Sequence, residues 1–206
     1  MKVTKNIFWY LFLFYFLVHL VLFPICFFYT NQTIDLESFG ISEYVKDYLS
    51  RICSTLLTFT FLLLLSLKKK FYLDKNRSFI LFLLTTILFF DTLGNFFGWF
   101  DVNGILRFLW FDDVIHFFSP ILVSLSCIWY LYVVEKNEKY LSLVTASCVA
   151  LTLSSIWEIY EYWSDRVYKT EMLKGGIEDT MSDMTAGLLG VIFFSICFCI
   201  VTRKSS

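Results

Sequence analysis

The sequence predicts an all-α membrane protein: a polytopic bundle of six transmembrane helices, one domain over residues 1–206, with both termini in the cytoplasm. Three observations predict it. The 206 residues are 58% hydrophobic and only 17% charged, where a soluble domain carries roughly 25% charged residues. Apolar runs near the ~20 residues that cross a bilayer recur along the chain. Two prolines and eight glycines leave little material for long irregular loops or a soluble domain. The net charge of −1 argues against a nucleic-acid partner.

The first span is expected over 7–28, too long for a signal-peptide core and followed by no small-residue cleavage site. A polar, acidic stretch follows, whose second half suits a short interfacial helix. The second span covers 52–67 and is closed by Lys68, Lys69 and Lys70. Asp74, Lys75, Asn76 and Arg77 read as a turn, and the third span covers 79–97. An aromatic-rich connector leads to spans four (113–134) and five (140–162), and a last loop leads to span six (179–201). The six cysteines show no CxxC or zinc spacing and read as small apolar helix residues.

Six spans place both termini on one side. That side collects Lys2, Lys5, Lys68, Lys69, Lys70, Lys75, Arg77, Lys136, Lys139, Arg203 and Lys204, eleven of the 17 basic residues. The remaining six are Lys46, Arg51, Arg107, Arg166, Lys169 and Lys174. The positive-inside rule makes the richer side cytoplasmic.

Acidic residues run the other way. All but Asp74, Glu135 and Glu138 of the 18 fall on the outer side or in the outer ends of helices. Four helix-spaced pairs stand out: Asp91 with Asn95, Asp113 with His116, Glu158 with Glu161, and Asp179 with Asp183. Spacings of i,i+3 and i,i+4 put each pair on one helix face. At ~1.5 Å per residue, Asp91 lies roughly 9 Å, His116 roughly 5 Å, and Glu158 and Asp183 roughly 6 Å below the outer end of their spans. Antiparallel helices thus deliver acids to a common layer, and ionisable groups inside a membrane mark a functional site by default.

These acids need protons, bases or a cation. The nearby bases, His116, Arg107, Arg166 and Lys169, are fewer than the acids, and a divalent cation resolves the imbalance. Asp113, His116, Glu158, Glu161, Asp179 and Asp183 are the expected ligands of Mg²⁺, Mn²⁺, Fe²⁺ or Zn²⁺. Glu158, Glu161 and Asp183 are the expected acid–base groups of a hydrolase or transferase. Asp91, Asn95, Asp112 and Asp165 are expected behind them, orienting the ligands. Arg107, Arg166 and Lys169 are expected to hold the anionic part of a lipid or lipid-linked substrate. Two other readings use the same residues: a small cation or proton-coupled carrier, and a non-catalytic membrane subunit whose acids form a polar network. Pro120 cannot donate to the carbonyl of His116, and Gly187 and Gly190 suit close helix packing.

The order Asp-x-x-His-Phe (113–117), Trp-Glu-x-x-Glu (157–161), Asp-Thr-x-x-Asp-Met (179–184) and Gly187 resembles the YjdF-type small bacterial inner-membrane proteins. Asp91-Thr-Leu-Gly-Asn95 and Trp110-Phe-Asp-Asp113 extend the likeness, which covers about half the chain. A more distant similarity joins it to VanZ-like proteins, which carry Lys, Gln and Asn where this chain has Asp, Glu and Asp. The resemblance implies a bacterial inner-membrane location and this helix architecture, and no substrate.

Overall fold

The computed structural model describes residues 6–30, 45–100, 111–168, 172 and 176–203. Among them every regular element is helical: α1 (Ile7–Thr30), α2 (Val45–Lys68), α3 (Lys75–Phe96), α4 (Phe111–Ile128), α5 (Lys139–Tyr168) and α6 (Ile177–Arg203), with a short 3₁₀ turn before α3 and a π-helical stretch, Trp129–Val134, continuing α4. Five stretches are long and apolar enough to cross a membrane: Ile7–Phe28, Lys75–Phe96, Phe111–Val134, Lys139–Val167 and Ile177–Arg203. The apolar part of α2, Ile52–Lys68, is shorter.

Helix boundaries differ from expectation for local reasons. The expected turn at 74–77 is instead the start of α3. Asp74 caps it, accepting the N–H groups of Asn76 at 2.9 Å and Arg77 at 3.2 Å. Capping of this kind offsets orphan donors in the first turn. Asp74→Ala is expected to lower stability by about 1 kcal/mol, read from reversible unfolding in mixed micelles. Glu138 caps α5, its carboxylate accepting the Leu141 N–H at 2.6 Å. The Leu141 and Tyr140 N–H groups hold its carboxyl below the ordinary carboxylate range. A depressed value means the cap operates at neutral pH and is lost as pH falls through that value. α5 runs on through Tyr168, because Ser164, Asp165 and Arg166 are polar without breaking a helix. α2 is continuous from Val45, so no separate interfacial helix precedes it within the described residues.

The chain divides into two compact units, Met1–Phe111 and Asp112–Ser206. In the first, α1, α2 and α3 pack on one another through aromatic rings. Tyr15 stacks on Phe89 with centroids 4.1 Å apart, and Phe12 on Phe59 at 5.8 Å. Buried His19 bridges α1 to α3: Nδ1 lies 2.7 Å from the Tyr15 carbonyl and Nε2 2.8 Å from the Thr92 hydroxyl. A carbonyl only accepts, so Nδ1 carries the proton and neutral Nε2 accepts from Thr92. Asn6 donates to Ser78 Oγ at 2.9 Å and to the Tyr72 carbonyl at 3.2 Å, tying the start of α1 to the start of α3.

In the second unit, Ile128, Leu143, Ala146 and Phe194 form a buried apolar cluster joining α4, α5 and α6. Ala146 lies 12 residues before Glu158, and Phe194 lies 11 after Asp183. At ~1.5 Å per residue the cluster sits roughly 17 Å along the helices from those acids. Nearer the acids, α6 approaches α4 through glycine. A methyl at Gly187 would stand 2.8 Å from Ser154 Oγ and 3.7 Å from the His116 carbonyl oxygen, and one at Gly190 would overlap the Phe117 carbonyl oxygen. Small residues permit such close helix approach in membranes.

Candidate metal centre

His116 is the hub of the second unit's acid layer. It stands in the second turn of α4, 8% exposed. Its Nδ1 faces Glu158 Oε1 on α5 at 3.3 Å. Its Nε2 faces Asp112 Oδ1, one turn earlier on α4, at 3.5 Å, and Asp183 Oδ2 on α6 at 3.9 Å. Glu158 (3%), Glu161 (8%) and Asp183 (2%) are all buried, whereas the Asp112 side chain is 42% exposed. The spacing is what brings them together. Glu158 and Glu161 share one face of α5, and Asp183 precedes Gly187 by one turn on the α6 face that meets α4.

Glu158 is the unusual member. Both of its carboxylate oxygens are buried and neither receives a hydrogen bond among the described residues. Oε1 is close to the imidazole but not in line with an N–H. Burial without a donor costs about 1–3 kcal/mol for a polar group and more for a charged one, and the His116 imidazole at 3.3 Å is the neighbour that offsets part of it. Glu161 is oriented differently, with Oε1 accepting the Trp157 indole N–H at 2.9 Å. Carboxylates that bind metals are characteristically held by such hydrogen bonds.

Two three-atom sets have the proximity a cation requires: His116 with Glu158 and Glu161, and Asp112 with His116 and Asp183, each set lying within 4.8 Å. For zinc–nitrogen and zinc–oxygen bonds of about 2.0–2.2 Å, tetrahedral ligands stand about 3.3 Å apart. The 3.3 Å between Nδ1 and Glu158 Oε1 has that span.

The other expected site residues are placed as follows. Asp112, expected to orient, joins the group around His116. Asp113, expected to ligate, instead accepts a hydrogen bond from Ser182 Oγ at 2.8 Å, so it links α4 to α6. Asp179, one turn before Asp183, acts electrostatically on Glu158 and Asp183. Asp165 accepts the Met172 N–H at 2.8 Å and so ties Met172 to α5. Arg166 stacks over the Tyr162 ring at 5.5 Å. Asp91 and Asn95 belong to the first unit, where Asn95 Nδ2 donates to the Asp91 carbonyl at 2.8 Å and carboxylate at 3.2 Å. Arg107 and Lys169 lie outside the described residues. Gly187 and Gly190, expected to allow close helix packing, stand against the carbonyls of His116 and Phe117; which backbone they would meet was not legible in the sequence.

Residues 36–204 match the family model described as "Predicted membrane protein (DUF2238)". The chain belongs to the DUF2238 family. No curated protein and no solved structure matches it. Its apolar helices and its family together make this DUF2238 chain a multi-pass membrane protein embedded in lipid.

Proposed function

We propose that this DUF2238 protein holds a divalent cation between α4, α5 and α6 and uses it for hydrolysis or group transfer on a lipid or lipid-linked substrate. Glu158 carries the reading: a carboxylate 3% exposed, with two oxygens that no hydrogen-bond donor among the described residues satisfies. A bare carboxylate in that position costs several kcal/mol, and a cation shared with His116 and Glu161 offsets the cost. An imidazole with carboxylates suits Mg²⁺, Mn²⁺, Fe²⁺ or Zn²⁺. Three protein ligands leave a position open, as in hydrolytic rather than structural metal sites.

A bound divalent cation acidifies water toward a pKa of about 7 and polarises carbonyl or phosphoryl oxygens. His116, Glu158 and Glu161 hold it. With one cation bound, Asp183, facing the same imidazole, would be free to accept the proton, with Asp179 one turn away. Exposed Trp157, Tyr160 and Trp163 ring the acid-bearing turns of α5, and aromatic residues favour the level of lipid headgroups. That placement supports a lipid substrate. Arg166, together with Arg107 and Lys169, is the proposed contact for an anionic headgroup.

The same reading places the protein in the bacterial inner membrane, in line with the YjdF-type resemblance. α2 is the sixth crossing: its 24 residues extend ~36 Å. The excess of basic residues on one side then sets both termini in the cytoplasm. The apolar cluster around Ala146 and Phe194, roughly 17 Å along the helices from the acids, favours a closed site over a cation path through the second unit.

Elemental analysis of protein purified in nanodiscs and equilibrated with Mn²⁺ tests the proposal. At least one tightly held equivalent is expected in the unmutated protein, with loss in His116→Ala and Glu158→Ala. An unmutated, folded protein that retains no metal after desalting rules the site out.

A further inference from the structure

The imidazole of His116 is flanked on both edges. Nδ1 faces Glu158 of α5, with Glu161 offering a ligand atom in the same group, and Nε2 faces Asp112 of α4 and Asp183 of α6. The two ring nitrogens project their lone pairs away from each other, so one cation engages only one of them. The Nε2 edge is only loosely engaged by its ion-pair partners. Its carboxylate oxygens stand at 3.5 and 3.9 Å, beyond the 2.7–3.2 Å typical of N–H···O bonds. They instead leave a gap bounded by three potential ligand atoms.

We infer that the centre has two cation positions bridged by His116: an inner one on Nδ1 with Glu158 and Glu161, and an outer one on Nε2 with Asp112 and Asp183. This inference rests on the metal-site reading above. Charge supports it, because one dication leaves two of the four carboxylates in these sets uncancelled in a poorly solvated region. A second dication leaves an excess of one negative charge, because a ring that ligates through both nitrogens must also give up its last N–H proton, which would pass to solvent. The orphan oxygens of Glu158, 3% exposed, lie at the heart of the group and give it a ligand-seeking atom independent of the count of acids. Helix bundles that place carboxylates inward from several helices are an established setting for paired metals.

The two positions differ in access. The inner set is wholly buried, whereas Asp112 is 42% exposed. The outer cation is therefore the exchangeable one, placed where a substrate oxygen would arrive, and the inner cation is retained.

Mn²⁺ is the probe, titrated into the full chain in nanodiscs. Two Mn²⁺ per chain are expected, with an exchange-coupled paramagnetic resonance spectrum. Brief chelation should strip one of them and convert the signal to that of an isolated ion. The Asp112→Asn/Asp183→Asn double variant should bind one Mn²⁺, already isolated in its spectrum. One Mn²⁺ per unmutated chain overturns the paired centre and leaves the single-cation reading standing. None overturns both. The decisive count is made on the unmutated protein, so misfolding of the double variant does not blunt the test.

Discussion

Metal-free Glu158→Gln protein is expected to unfold at a higher temperature than the metal-free parent, and to gain nothing from added Mn²⁺. The two signs come from one feature. Without a cation the parent buries a carboxylate that receives no hydrogen bond among the described residues, and relieving that charge recovers about 1–3 kcal/mol. Gln keeps the shape but is a poor metal ligand. Loss of groups that only orient a ligand already weakens metal binding about 10–100-fold, so loss of the ligand itself should exceed about 100-fold. The parent at 100 times its dissociation constant gains about 2.7 kcal/mol from the bound ion. The order of midpoints should therefore be parent without metal, then variant with or without metal, then parent with metal or close beside the variant. Thermal unfolding monitored by intrinsic tryptophan fluorescence, with and without Mn²⁺, reads all four. A parent that Mn²⁺ does not stabilise, or a metal-free variant less stable than its parent, would count against Glu158 as a ligand.

Gly190→Ala is expected to destabilise the second unit by about 1–3 kcal/mol, the usual cost of forcing extra carbon into a packed contact, and to weaken binding of the outer, exchangeable Mn²⁺ at least tenfold. A methyl there would overlap the Phe117 carbonyl oxygen, and backbone cannot turn aside as a side chain can. α6 must back away from α4, and Asp183, two turns earlier on the same face, moves away from His116 with it. Gly187→Ala should behave differently, because the tightest atom it meets is the Ser154 hydroxyl. Adding Ser154→Ala should restore binding to Gly187→Ala and leave Gly190→Ala unrepaired. Isothermal titration with Mn²⁺ on the single and double variants separates the cases. Equal rescue of both, or rescue of neither, would show that α6 is not positioned in this way.

Much of this architecture is legible in hydropathy and helix spacing. The apolar cores of α1, α3, α4, α5 and α6 announce themselves by length and composition. Helix ends do not, since hydropathy falls at Ser164 and Asp165 while α5 continues through Tyr168. The start of α3 was written in Asp74, a strong capping residue, but its charged neighbours read equally well as a turn. Lys46, Asp47 and Arg51 interrupt the apolar run of α2, which is why its helix outruns its hydrophobic stretch.

In the acid layer, spacing identifies the faces that carry Glu158, Glu161 and Asp183. It does not choose between Asp112 and Asp113, because residues three and four before His116 both lie beside it on a helix. That choice is made by α6, whose Ser182 engages Asp113. Nor does a sequence reveal that the oxygens of Glu158 have no donor, since their neighbours come from separate helices.

The stacked rings of the first unit have a consequence for how that unit tolerates change. Hydrocarbon chains solvate phenylalanine as well as another helix does, so apolar burial alone gives α1, α2 and α3 little reason to stay together. Their cohesion falls to shape-matched contacts such as Tyr15 on Phe89, and to the hydrogen bond between His19 and Thr92. Phe14 and Leu17, open to the acyl chains, can be exchanged for other greasy residues almost freely. On the buried face of the same stretch of α1, a swap of Tyr15 or His19 that keeps the hydropathy and loses the outline leaves the three helices as good a home in lipid as in each other.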